Sequence, residues 1–118
     1  MQGFRRLNVW QKAHELTLEV YRATARFPKE ELYALTSQLK RAAASVAANI
    51  AEGCGRGSDP EFARFLMISM GSASELEYHL LLARDLKYLT QEDYQNLDGR
   101  VTEVKRMLAS LIQKTRSR

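Results

Sequence analysis

A chain of 118 residues that is 45% hydrophobic and 27% charged can bury one core of its own, which excludes a disordered class. No apolar run approaches the roughly 18 residues of a membrane span, the segment Met1 to Arg6 lacks the apolar stretch of a secretory signal, and Cys54 as the only cysteine excludes an intrachain disulfide. A cytoplasmic chain is expected, and its net charge of +4 permits an acidic partner without demanding one.

The first predicted helix covers about residues 8–27, with Asn8 as N-cap and Gln11 three residues on. Trp10, Ala13, Leu16, Thr17, Val20, Tyr21, Thr24 and Phe27 then follow at three- and four-residue steps. Pro28 must stop it, because proline has no N–H to donate and pushes the preceding residue out of helical geometry.

A second helix is expected over about 35–53. Leu39, Ala42, Ala43, Val46, Ile50 and Gly53 make one apolar stripe, with Asn49 at its margin as a residue to bond across helices. Ala44, Ala47, Ala48 and Ala51 make a second stripe on the opposite side, where a helix packed on one face would carry charge. Gly53, Gly55 and Gly57 are expected to supply the left-handed residues that end this helix.

Asp59 as N-cap with Pro60 in the first turn opens a third helix over about 60–87. Phe62, Phe65, Ser69, Ser72, Ala73, Leu76, Leu80 and Ala83 give it a core face, and Met67, Met70, Ser74, Tyr78 and Leu81 a second, mainly apolar one. Thr90 and Asp93 resemble a capping box before a fourth helix over about 91–115, where Tyr94, Leu97, Val101, Val104, Leu108, Leu111 and Thr115 repeat in unbroken heptad spacing.

Nothing alternates with period two and no repeat or low-complexity linker divides the chain, so residues 1–118 read as one all-α domain. Four amphipathic helices with short connections imply an antiparallel up-down-up-down bundle. That topology brings the N-terminus, the connection between helices two and three, and the C-terminus to one end. Arg5, Arg6, Arg56, Arg64, Lys114, Arg116 and Arg118 would gather there against Glu52, Asp59 and Glu61. The opposite end, with Arg26, Lys29, Arg84 and Lys87 against Glu30, Glu31, Asp85, Glu92 and Asp93, is close to neutral. The two outer stripes predict self-association through Ala44, Ala47, Ala48 and Ala51 with Met67, Met70, Tyr78 and Leu81, since soluble monomers rarely leave such surfaces bare.

Catalytic chemistry finds little support. A di-iron bundle needs inward glutamates with Glu-x-x-His pairs, and none is present. Glu75 and His79 share a helix face, but one carboxylate and one imidazole make a poor metal set; an Arg41–Glu75 ion pair is the expected role for Glu75. The Gly53-to-Gly57 loop lacks the preceding strand and the Lys-Ser/Thr of a phosphate loop, and reads as a turn. Cys54 has no base nearby in sequence and reads as a small buried thiol. No cofactor, no metal and no enzymatic activity are expected.

Leu7-Asn8-Val9-Trp10-Gln11-Lys12-Ala13, Gln38-Leu39-Lys40-Arg41-Ala42-Ala43, Asn49-Ile50-Ala51-Glu52-Gly53 with Gly55-Arg56, and Phe65-Leu66 with Gly71-Ser72 together resemble the 23S rRNA intervening-sequence proteins. The resemblance covers almost the whole chain. It implies a left-handed four-helix bundle assembled as a homopentamer, bacterial and cytosolic, with no established enzymatic activity. It also implies distant kinship with the accessory variability protein of diversity-generating retroelements, a basic pentameric bundle that binds nucleic acid and a reverse transcriptase. Members often carry proline where this chain has Ser45-Val46-Ala47-Ala48-Asn49, so a straighter second helix is expected here.

The functional expectation is therefore a non-enzymatic homo-oligomer that presents its basic end to RNA or DNA without sequence preference, through Arg5, Arg6, Arg56, Lys114, Arg116 and Arg118. No aromatic stacking platform is evident in the sequence, and no membrane is expected as a partner. The alternative is a scaffold for a protein partner encoded nearby, with no nucleic-acid role.

Overall fold

The computed structural model describes residues 3–117. Four helices carry the chain, α1 (Asn8–Thr24), α2 (Leu35–Cys54), α3 (Asp59–Asp85) and α4 (Gln91–Arg116), with 3₁₀ turns at Phe4–Arg6 and Lys29–Glu31 and no strand among the described residues. Each helix packs on its neighbours in the chain, and α1 closes on α4, giving an all-α bundle of 45 × 23 × 20 Å.

The order of the contacts sets the relative direction of two helix pairs, α2 with α3 and α1 with α4. Between α2 and α3, Gly53 lies against Phe62 and Phe65, the Ser69 hydroxyl donates to the Val46 carbonyl at 2.7 Å, and the Ser45 and Ser72 hydroxyls meet at 2.8 Å. Between α1 and α4, Lys12 meets Glu103 at 3.8 Å, Glu15 meets Arg100 at 3.9 Å and Arg26 meets Asp93 at 3.2 Å. Numbers rise along one helix as they fall along the other. Thr17 donates to the Ala43 carbonyl between α1 and α2, and Lys105 meets Glu77 between α3 and α4.

The middle of the α4 heptad is buried and its flanks Tyr94 and Leu111 are half-buried: Leu97, Val101, Val104 and Leu108 belong with Leu16, Val20, Leu76 and Leu80 to one core. Each such side chain contributes about 1.5–3 kcal/mol on leaving water. The caps follow local chemistry. Thr90 Oγ1 accepts from the Asp93 N–H at 3.0 Å, satisfying a donor the helix cannot use internally.

Several boundaries differ from the sequence reading, each for a local reason. α1 ends at Thr24, and Phe27 is buried beyond it against Tyr88, with ring centroids 5.4 Å apart. Leu7 rather than Asn8 holds the cap position of α1, and the Gln11 side chain instead ties back to the Arg5 carbonyl at 2.9 Å. Ser58, not Asp59, caps α3 by accepting from the Glu61 N–H, which leaves Asp59 in the first turn at the positive end of the helix. α3 stops at Asp85 because Lys87 takes the left-handed conformation (φ 65°) while the Tyr88 N–H returns to the Ala83 carbonyl.

Of the three glycines expected to end α2, only Gly57 has positive φ. Gly53 remains helical and serves another purpose: a Cβ built there would lie 2.7 Å from Phe65 Cβ. Its missing side chain lets α3 approach α2. The outer alanine stripe is also split. Ala47 belongs to the core, only 8% exposed, so it is covered within the subunit; Ala44 and Ala51 are half-buried and Ala48 is exposed. Of the partners proposed on α3, Met70 and Leu81 are half-buried, whereas Met67 and Tyr78 are 51% and 57% exposed and Ile68, not anticipated, is 42% exposed.

Asn49 does not bridge helices. Its amide donates within α2 to the Ser45 carbonyl and hydroxyl at 2.8 and 3.0 Å, and Ser45 makes the crossing to Ser72.

Gly53→Ala will destabilise the fold by about 1–3 kcal/mol in urea denaturation despite alanine's better helix propensity, because the added methyl must push Phe65 away. A second prediction concerns pH. The Tyr88 hydroxyl donates to Glu31 at 2.9 Å, and that bond, followed by burial, raises the phenol's pKa above its ordinary value. The protonated phenol is the form that bonds, so the contribution is complete below the unfolded value of about 10 and is lost as pH rises through the folded one. The stability margin over Tyr88→Phe will stay constant near neutrality and shrink in melts above about pH 10.

Candidate nucleic-acid interface

The start of α1, the connection between α2 and α3 and the end of α4 meet at one end of the bundle. A cleft of about 420 Å³ lies between the first turn of α1 and the last turns of α4, lined by Leu7, Asn8, Val9, Arg106, Met107, Ser110, Leu111 and Lys114. A second hollow, lined by Asp59, Pro60, Ala63, Arg64, Met67, Thr115 and Arg116, joins the start of α3 to the end of α4. The structure thereby brings together the segments that carry Arg5, Arg6, Arg56, Lys114 and Arg116; Arg118 lies outside the described residues.

These cations are not equivalent. Arg56 meets Glu52 at 3.1 Å and Arg64 meets Glu61 at 2.9 Å, and both guanidinium groups lie over the Phe65 ring, 4.8 and 4.6 Å from its centroid. The Arg64 hydrogen bond lowers the Glu61 pKa and, reciprocally, that bond raises the Arg64 pKa. Such exposed pairs add little stability, yet they cancel charge locally. Arg5, Arg6, Lys114 and Arg116 differ: among the described residues none has a carboxylate within 4.0 Å. Arg56 therefore belongs to the end of the bundle by position but contributes less free charge than the others.

Arg106 escaped the sequence reading and belongs with the unpaired group, exposed on the rim of the larger cleft. Its signal was the four-residue step Arg106, Ser110, Lys114, which sets all three on one face of α4. The ring cluster at the start of the chain was also missed. Phe4 meets Trp10 edge-on at 4.9 Å, Trp10 stacks on His14 at 4.9 Å with planes 7° apart, and Arg5 lies over Phe4.

Elsewhere the polar residues do structural work. Arg41 and Glu75 line one cleft with Gln38, Ala42 and Ser45, but they do not form the expected ion pair within 4.0 Å. Glu75 stays exposed while His79, 8% exposed, turns inward with an Nδ1 that has no partner. The two do not act as a pair. No group of three or more His, Cys, Asp or Glu residues able to hold a metal ion occurs among the described residues. Cys54 is buried at the end of α2. Among the described residues no helix is long and apolar enough to cross a membrane.

These features define a class: a four-helix bundle with one apolar core and, at one end, a group of cations without carboxylate partners, although Lys29, Lys40, Arg41 and Lys87 also lack one elsewhere among the described residues. Within that class, the chain belongs to the 23S rRNA-intervening sequence protein family, whose model matches residues 5–110. It is similar to the crystal structure of a protein of unknown function from the S23 ribosomal protein family of Bacteroides thetaiotaomicron, with 28% sequence identity and a TM-score of 0.79 over 88% of this chain and 97% of that one. No curated protein matches the chain.

Proposed function

We propose that this protein is a non-enzymatic bundle of the bacterial cytoplasm that assembles with copies of itself and holds RNA or DNA by its phosphates, without reading sequence. The observation that supports this reading is the convergence of Arg5, Arg6, Arg106, Lys114 and Arg116 at one end, unpaired, while most other arginines of the fold have carboxylate partners. Positioned cations displace the counterions condensed on nucleic acid, and that release drives binding without base contacts. Self-association multiplies the effect. A closed ring, such as the pentamer the family resemblance implies, would repeat the basic end around one face and raise the local potential.

The case for assembly is the bare apolar surface on α3. Met67, Ile68 and Tyr78 stand in solvent on α3, and on the neighbouring α2 the half-buried Ala44 and the exposed Ala48 offer small side chains that permit close approach of a second backbone. Sedimentation at micromolar concentration will give a species larger than the monomer, and Tyr78→Lys with Met67→Lys will shift it toward the monomer; a wild-type monomer would overturn assembly.

The binding reading is tested by fluorescence anisotropy with labelled RNA and DNA at low salt. Replacing Arg5, Arg6, Lys114 and Arg116 together by alanine will weaken both and flatten the slope of log K against log salt by about 3 for a single strand. Equal binding by wild type and variant, or no binding by either, removes the proposal.

A further inference from the structure

The larger cleft at the basic end has a composition that phosphate contact alone does not require. Its floor is apolar, built from Leu7, Met107, Leu111 and the buried Val9, while Asn8 and Ser110 on its rim offer an amide and a hydroxyl, each able to donate and to accept. Arg106 and Lys114 bracket it. They stand eight residues apart, about 12 Å along the helix axis, and neither has a carboxylate partner within 4.0 Å among the described residues.

We propose that this cleft seats one unpaired nucleobase, with Arg106 and Lys114 holding phosphates on either side of it, so that the bundle prefers single-stranded to duplex nucleic acid. This rests on the phosphate-binding reading above and adds to it the form of the ligand. The chemistry of a base matches the lining: two apolar faces to withdraw from water, and a polar edge for Asn8 and Ser110. Met107 supplies a polarisable sulfur, which makes favourable contacts with ring systems. A volume of about 420 Å³ admits such a group. Two cations at opposite ends fit a polymer with an anion on each side of the inserted group, whereas an acyl chain with one charged head would leave one cation unused. In a duplex the base faces are already covered by their neighbours, and bringing one out costs a few kcal/mol. A single strand presents them free.

The test uses anisotropy of a labelled oligouridylate of about 20 nucleotides and a duplex RNA of matching length, both at low salt. Ser110→Leu fills the cleft without changing charge or adding an aromatic ring, and Ala109→Leu adds similar bulk to an exposed position outside it. Circular dichroism confirms that both variants fold. The wild type will hold the single strand about tenfold more tightly than the duplex, and Ser110→Leu will remove most of that preference while leaving duplex affinity unchanged. Ala109→Leu will change neither. As an independent readout, a photoreactive thiouridine at the centre of the oligomer will cross-link to the tryptic peptide Met107–Lys114.

Equal affinity for single strand and duplex overturns the cleft proposal and leaves the phosphate reading standing, as does an identical response of the two leucine variants. So does competition by polyglutamate as effective, charge for charge, as that by oligouridylate, since it would mean the site takes any polyanion. Failure of the wild type to bind either nucleic acid overturns both readings.

Discussion

The bundle depends on how closely α2 can approach α3. At Gly53 the two helices come near enough that a Cβ on α2 would collide with Phe65. Two helical turns away the Ser69 hydroxyl reaches the Val46 carbonyl, and Ser45 reaches Ser72. Small residues and hydroxyls thus replace the bulky interdigitation seen along α4. A hydroxyl buried at such a contact must find an acceptor, so these bonds also define the register: a slide of one residue would strand Ser69, which is fully buried. The position of α3 sets where its second turn, with Arg64 and Phe65, stands relative to the end of α4. The basic end inherits its geometry from this contact.

The parts of the fold that could be read from sequence are those where one physical rule acts alone. α4 is such a case, because Leu97, Val101, Val104 and Leu108 face one core and nothing else competes for that spacing. Thr90 before Asp93 is another. Misreadings cluster where two rules offer the same residue different roles. Gly53 suits a helix end and a close helix contact equally, and only the partner helix decides between them. Ser58 and Asp59 are both good caps, and the outcome turned on which oxygen reached the Glu61 N–H. Ala47 fits an outer stripe by angle, yet a bundle of four helices covers more of each surface than a single-sided wheel allows.

The candidate site shows the same division. That cations gather at one end follows from topology and was legible from four helices joined by short connections. Which of them carry free charge was not, because the pairing of Arg56 with Glu52 and of Arg64 with Glu61 depends on side-chain reach over exposed helix turns. Arg106 lay within reach of the sequence pattern but was passed over, since it sits two turns short of the cluster at the C-terminus. The cleft it borders arises from two segments distant in the chain, and no spacing within either one announces it.

The ring cluster at the start of the chain bears on how Arg5 and Arg6 are presented. Leader residues ahead of a first helix commonly fray. Here the Phe4–Arg6 segment closes as a 3₁₀ turn, Gln11 holds the Arg5 carbonyl, and Phe4 is seated on Trp10, which is stacked in turn on His14. The backbone bearing the two arginines is thereby mounted on α1. An anion arriving there meets charges whose backbone is already in place, so the entropy of ordering a tail has been met by folding rather than charged against the encounter.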